Sequence, residues 1–430
     1  MRGFTLFMCL VAMSSWTFLG TCLSRNVGTR ASLPVHNLRT GLSYSDITAA
    51  INANETLDGD TIFVDEGTYP EHIYVGKSLN IIGANQSTTV VDSMGSFRGF
   101  RVFADRVNIT GFTVKNAAFA IYLNSSENHV YGNRVDNSKI GVRLDNGRNN
   151  TISGNVIENM LLEGEGIFLE NAKRNVIQGN LFVNDSFAIS LVLSTENIIK
   201  ENTIRDCPSA SIWLQSSSDN KIYHNNFANN TGSAIADYSF NTIWDYGYPS
   251  GGNYWSSHND SDSNNGLRQN ITGSDGICDV PRVIDESNQD NHPLVGPINT
   301  FDAGTWNEVS YSVDIVSNST VSAFRFNPAE GPLIRFNVTG QNGTSGFSRV
   351  VIPKGLLWVE DRWDVTVDRE PLNYTVIADG DHAYLYFTYQ HSAKIAEIRG
   401  TDVISELPST KLLLLILIFV TFAVSLSKRR

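Results

Sequence analysis

The chain has 430 residues, of which 41% are hydrophobic and 18% charged, with a formal net charge of −12. That hydrophobic content excludes a largely disordered chain, and the length admits two or three domains with cores of their own. The acidic balance, with no Lys/Arg cluster in the body, excludes a nucleic-acid partner and leaves cations or a sugar polymer as fitting ones.

Residues 1–25 place Arg2 ahead of an apolar run from Phe4 to Leu19, followed by the small residues Gly20 and Thr21. That order predicts a cleaved secretory signal peptide. Cys22 in "LGTC" offers a lipid-attachment reading, and an uncleaved spanning anchor is the plain alternative.

Further on, the chain nearly repeats itself: "VYGNRVDN" begins at Val130, "ISGNVIEN" at Ile152 and "IQGNLFVN" at Ile177. A second motif follows each, a small residue and then apolar-x-apolar: "GVRL" from 141, "GIFL" from 166 and "AISL" from 188, with "AIYL" from 120 following the earlier unit Gly111–Asn116. Each turn closes on Asn128, Asn150, Asn175, Asn197, Asn220 or Asn241, at spacings of 22, 25, 22, 23 and 21 residues. Short alternating apolar pieces at a fixed period are the pattern of a solenoid. One turn cannot bury its apolar face alone, so the repetition serves stacking. The fold class predicted is all-β: a right-handed parallel β-helix of about 22 residues per turn, spanning 43–297. Asn recurring at one place lets amides bond to their copies above and below. Asn133, Asn155, Asn180, Asn202 and Asn225 form one predicted ladder, and Asn137, Asn159 and Asn184, ending in Asp206, form another. On this reading Gly and Asn are corners, and nothing there requires catalysis.

The stretch "ITAAINANETLDGDTIFVDEGTYPEHIYVGKSLNIIGA" (47–84) resembles the opening of NosD-like, pectate-lyase-like β-helix proteins of the carbohydrate-binding-and-hydrolysis type. "GGNYW…DGICDVPRVID…DNHPLVGP" (251–297) resembles the tail of the same family. The resemblance implies a short capping helix before the first turn. It fixes no activity, because function lives in sites placed on the fold. The family's lyase and epimerase members use Arg/Lys bases with calcium or a DPHD-type motif, and no DPHD occurs here. NosD itself is associated with copper-site maturation of nitrous oxide reductase. Copper handling favours Met, Cys and His, which are sparse and scattered in this body.

Within the apolar-x-apolar strand the middle residue faces out. Down the turns it reads Tyr122, Arg143, Phe168, Ser190, Trp213, Ala236, with Asn124, Asp145, Glu170, Val192, Gln215, Tyr238 two places later. Tyr122, Phe168 and Trp213 are the candidate carbohydrate-binding residues, since aromatic faces cover the apolar faces of pyranose rings. The alternative is that they pack beneath the loop at 160–165. Asp145 and Glu170 sit on adjacent turns, roughly 4.8 Å apart along the stack, close to what a retaining glycosidase needs of its carboxyl pair. With Arg143 they are the candidate catalytic residues, a solvated or cation-bridged acidic pair being the alternative. In the tail, Asp260, Asp262, Asn264, Asp275 and Asp279 carry hard oxygens of the kind Ca²⁺ takes, although Ser274 and Cys278 interrupt the family's run. An ordinary polar cap is the other reading. No cofactor is required; calcium is the one candidate.

From 300 to 400 the rungs stop. Alternating runs such as "VSYSVDIV" and "AYLYFTYQ", separated by Gly, Asn, Pro and Asp, predict a C-terminal β-sandwich. A linker at 401–410 leads to a segment at 411–427, uncharged and apolar from Leu412 to Ser427, and to Lys428, Arg429 and Arg430. This predicts a transmembrane anchor with a basic cytoplasmic end, hence a body outside the cell at the plasma membrane. Cys207 and Cys278, the cysteines outside the signal, are available for one disulfide. Thirteen N-x-S/T acceptors run from Asn54 to Asn373, consistent with exposure in a glycosylating host. Taken together the residues predict a surface protein that recognises polysaccharide, or covers the envelope, without catalysis, and the pairing with a C-terminal domain and tail anchor resembles archaeal cell-surface proteins. A hydrolase or lyase in the β-helix groove, and a NosD-like accessory to a metalloenzyme, are the alternatives.

Overall fold

A computed structural model describes residues 33–95, 98–160, 163–232, 234–258, 261–328, 331–359, 361–400 and 402–403. The predicted signal peptide, the anchor at 411–427, the basic end and most of the linker lie outside the described residues. Among the described residues no helix is long and apolar enough to cross a membrane.

Three parallel sheets of short strands, of ten, nine and eight strands, form a right-handed-type solenoid of about eight turns. Each turn supplies one strand per face. For one turn these are His129–Tyr131 on the first face, Arg134–Asp136 on the second and Ile140–Asp145 on the third. Register is strict: Val130 pairs with Ile152 and that with Ile177, while Val142 pairs with Ile167 and that with Ile189. These residues point inward and are fully or almost fully buried, so one apolar column rises from each face into a shared core. Such a β-branched column suits a pleated, closely stacked interior.

The fold starts earlier than the predicted residue 43. Val35–Asn37 pairs antiparallel with both Leu42–Tyr44 and Thr61–Val64, the one reversal of direction on the first face. The helix Ile47–Asn52 then closes the end of the core with Ile47, Ala50 and Ile51. Asp46 caps it by accepting from Ala49 N, and the Glu71 carboxylate takes Ile47 N and Thr48 N. Covering the first turn in this way hides apolar ends that would invite pairing with another chain.

Corners need left-handed backbone. Gly132, Gly154 and Gly179 turn at φ of 61°, 60° and 62°, and Glu201 and His224 occupy the same place at 58° and 55°. The predicted Asn133 ladder is present and buried. Each Asn gives its backbone N–H and Nδ2 to the Oδ1 of the Asn one turn on, at 2.9–3.2 Å from Asn133 to Asn225. The second buried ladder differs from the predicted one: it is the set of turn-closing residues, Asn128, Asn150, Asn175, Asn197 and Asn220. Asn137, Asn159 and Asn184 lie on an exposed corner, where Asn159 bonds Asp136 instead of Asn137. The predicted ladder is thus present only in part, as Asn184 to Asn159 and Asn137 to Asn116, and the left-handed φ at each place favours Asn as well.

Residues 245–258 and 261–297 bond to the last turn through Tyr254, Trp255 and Asn288, with Asp290 in turn accepting from Asn253. Beyond them, two five-stranded sheets running from Ile298–Trp306 to Lys394–Arg399 bury a core of their own between them. Asn226 of the solenoid exchanges two 2.8 Å bonds with the backbone of Ile298, where the first of these strands begins. Arg349, fully buried, donates to the carbonyls of Asp275 and Pro249 and lies 4.7 Å over the Tyr384 ring. The two-sheet region is therefore bonded to the solenoid's tail directly.

Candidate functional site

The third face carries the predicted stripe. Its central column reads, in register, Tyr74, Arg101, Tyr122, Arg143, Phe168, Ser190, Trp213 and Ile235. Aromatic residues occupy every second turn. The last turn differs by one place from expectation: Ile235, not Ala236, follows Trp213, and Asp237, not Tyr238, follows Gln215. Asp237 there accepts a 3.2 Å bond from the Trp213 indole.

A neighbouring column was not legible in simple alternation. Each strand bends at a small residue, and where that residue is glycine its inward side has no room for more: a Cβ on Gly166 would stand 2.7 Å from the Phe182 ring. The residue before the bend consequently rejoins the outer face. Its column is Arg98, Phe119, Ile140, Glu165, Phe187 and Ala210. A recurring Gly or Ala with a large residue just before it was the available signal.

These two columns close half of the stripe. Tyr122 is only 7% exposed, because Arg98 lies 4.4 Å over its ring and Phe119 stacks beside it. It is not the exposed sugar platform expected of it. Arg101 lies over Phe103, and Arg143 lies 4.7 Å over Phe168 and 5.3 Å over Phe119. Guanidinium–aromatic stacks thus cover Tyr122 and one side of Phe168, while Tyr74 and Phe103 on the earlier turns stay exposed. Further along, Phe168, Phe187 and Trp213 are half-buried, with Phe187 and Trp213 in ring contact at 5.8 Å. Beneath them Ser190 is fully buried, and among the described residues its hydroxyl has no partner at bonding geometry. Glu165 covers it, and burial pushes that carboxyl up to about 7, against weaker downward pulls from Ser190, Arg143 and Lys139.

The predicted catalytic trio is brought together, but as an ion-pair bridge. Arg143 Nε bonds Asp145 at 2.9 and 3.2 Å, and its Nη2 bonds Glu170 at 2.5 Å. One guanidinium thus engages both carboxylates in charge-assisted hydrogen bonds.

The tail carboxylates turn to backbone instead of to one another. Asp262 accepts from Asp275 N and Gly276 N, and Asp275 from Ile277 N and Gln269. Asp279 accepts from Ser261 Oγ, Ser263 N and Asn264 N. Asn264 contributes a backbone donor, and Asp260 lies outside the described residues. Among the described residues no group of three His, Cys, Asp or Glu side chains is disposed to hold a metal ion. These loops are braced by the same oxygens calcium would use. Cys207 and Cys278 are both buried and are not joined to each other in a disulfide.

The resemblance read from 47–297 is borne out over 53–260, which match the family described as periplasmic copper-binding protein (NosD). A cell surface glycoprotein of Methanothermus fervidus is 30% identical over 124 residues, 29% of this chain and 19% of that protein, so the chain matches about a fifth of the length of this curated relative. Among solved structures, alginate lyase from Paenibacillus sp. str. FPU-7 is similar at 18% identity and a TM-score of 0.32, over 49% of this chain and 94% of that one. A tailspike protein, gp49, of the Acinetobacter baumannii bacteriophage Fri1, a capsular polysaccharide depolymerase, is similar at 8% identity and a TM-score of 0.28, over 79% of this chain and 80% of that one.

The donors present do not fit copper. Met94 is exposed, Met160 is buried, and burial pushes the Cys207 thiol up to about 12, which keeps it protonated. A soft metal needs thiolate, thioether or imidazole donors converging on one point, and the described residues bring no such set together.

Proposed function

We propose that the protein works at the cell surface as a recognition module that binds a polysaccharide without cleaving it, through the open part of the third face around Phe187 and Trp213, with Phe168 at its border under Arg143. The observation that carries this reading is the contrast along one column. Tyr122 is capped by an arginine, whereas Trp213 has no guanidinium over it among the described residues and keeps its indole N–H on Asp237. Aromatic faces beside carboxylates and an arginine suit a pyranose, whose two sides are apolar and whose rim is polar. The surface location rests on the similarity to a cell surface glycoprotein and on the terminal segments read from sequence.

The non-catalytic part of the proposal rests on Arg143. A retaining pair needs a carboxylate free to attack and an acid free to donate, and Asp145 and Glu170 are both committed to one guanidinium. The test is to incubate the purified protein with acidic and neutral polysaccharides and to follow protein and polymer together by size-exclusion chromatography over hours. Co-migration at unchanged polymer length supports recognition. Shortening of the polymer would replace it with an enzyme. No change with any polymer would leave envelope cover as the better account.

A further inference from the structure

The chain's thirteen N-x-S/T sequons are not equivalent once folded. N-glycosylation forms a bond from Asn Nδ2 to C1 of a sugar. The C1–O bond to the phosphate of a lipid-linked saccharide donor breaks, phosphate leaves with the electron pair, and the amide gives up a proton. An Nδ2 that is already donating inside the fold is a poor partner for that step, and a half-buried one is a hindered partner.

By this criterion the solenoid's sequons divide. Asn108 is half-buried and donates Nδ2 to Asn80 Oδ1 at 2.6 Å, and Asn124 is half-buried and donates to the Tyr122 hydroxyl at 3.3 Å. Asn184 is exposed, but its Nδ2 bonds Asn159 Oδ1 at 3.2 Å. Asn149 and Asn229 are exposed on left-handed corners, at φ of 56° and 53°. Their side-chain amides make no bond among the described residues. Corner geometry explains why Asn stands at 149 and 229, but not the Thr two residues later, at Thr151 and Thr231.

The two sites have a specific placement. Asn149 lies on the corner between the third face and the first, just ahead of the strand Thr151–Ser153. Asn229 lies on the corner between the second face and the third, just after the strand Asn226–Ala228. The one sequon on the third face itself, Asn124, is held by Tyr122.

We infer that the folded protein carries N-linked saccharides at Asn149 and Asn229, that Asn108, Asn124 and Asn184 stay unmodified, and that these saccharides wall the two edges of the third face while leaving the face bare. The inference rests on the surface location proposed above.

The experiment is glycopeptide mass spectrometry on the protein recovered from envelopes of its own cells. Saccharide mass on the Asn149 and Asn229 peptides and its absence from the Asn108, Asn124 and Asn184 peptides is the expected result. Asn159→Gly, which suits the left-handed corner, removes the acceptor of Asn184 and should add saccharide to the Asn184 peptide. Unmodified corner peptides, or equal occupancy at Asn124 and Asn149, would overturn the inference. An Asn184 peptide unchanged by Asn159→Gly would overturn the hydrogen-bond criterion. Absence of the protein from the envelope would instead remove the surface location itself, and that outcome is read separately by fractionation.

Discussion

Asn253 gives both its backbone N–H, at 2.8 Å, and its side-chain amide, at 3.3 Å, to a single oxygen, Oδ2 of Asp290. Every earlier rung of that ladder ends on the amide of another Asn; this last one ends on a carboxyl. The same oxygen accepts the Trp255 indole at 3.0 Å, and the other accepts His292 N at 3.2 Å. A residue from the wrapping tail therefore terminates the solenoid's hydrogen bonding.

That ending has a pH signature. Burial pushes Asp290 from 3.8 up to about 7 in the folded protein. Between those values the folded state binds the proton and the unfolded state does not, so stability falls as pH rises from 3.8 to about 7 and is level above. Glu165 and Asp262, also raised to about 7, and Asp185, raised to about 8, tilt stability the same way. His224, lowered to about 4, opposes them. Asp290→Asn keeps an acceptor for Asn253 and removes the titration, so its melting temperature should vary less with pH across this window than the wild type's. Asp290→Ala leaves the ladder's last donors orphaned and should cost about 1–3 kcal/mol at every pH. Matching pH profiles for wild type and Asp290→Asn would refute the assignment.

The two Asn systems should respond unequally to truncation. Asn180 is buried; its Oδ1 accepts from Asn155 N and Nδ2, and its own Nδ2 donates to Ile152 O and Asn202 Oδ1. Asn180→Ala orphans several buried groups at once and should cost about 2–4 kcal/mol, as more than one unmade bond at about 1–3 kcal/mol each. Asn137→Gly, on the exposed corner with φ of 48°, should lie within about 0.5 kcal/mol of wild type. Urea melts of the two variants separate these expectations.

This asymmetry marks what could be read in advance. The period and the inward Val/Ile/Leu phase follow from one physical need, stacking, and each turn repeats the signal. Three features were hidden because they depend on a single position. The bend at Gly141 and Gly166 breaks strict alternation and returns Ile140 and Glu165 to the outer face. The arginine that caps Tyr122 comes from the turn before, so Tyr122 looks exposed in its own strand while Arg98 covers it. The last turn shifts by one residue and replaces Tyr238 with Asp237 in the column. Asp290 pairs with Asn253 across a loop that has no period at all.

Tyr122 and Trp213 make a paired test of the binding face. Tyr122→Ala empties a site closed by Arg98 and Phe119, and should cost about 3 kcal/mol of stability without changing polysaccharide retention per folded molecule. Trp213→Ala removes the open platform and should cut retention about tenfold, for about 1.4 kcal/mol of lost contact, with a small change in melting temperature. Affinity electrophoresis in polysaccharide gels, alongside thermal melts, reads both quantities. Unchanged retention in a folded Trp213→Ala variant would sink the platform.

Arg143 is the joint of the outer face, since it bonds Asp145 and Glu170 and stacks on Phe168 and Phe119 at once. The Asp145 side chain is 16% exposed and the Glu170 side chain 44%, so losing the guanidinium strands Asp145 more than Glu170, which water can solvate. Arg143→Met should cost about 1–3 kcal/mol, and Asp145→Asn in the same chain should restore part of it. Arg143→Lys should fare little better than Met, because an ammonium cannot present the planar fork that reaches both carboxylates and stacks on a ring. Polymer length should stay constant with wild type, Asp145→Asn and Glu170→Gln alike. If instead the wild type shortened a polymer and either carboxylate variant stopped it, the bridge would have to open during turnover, and Arg143 would be a gate on an enzyme's acids.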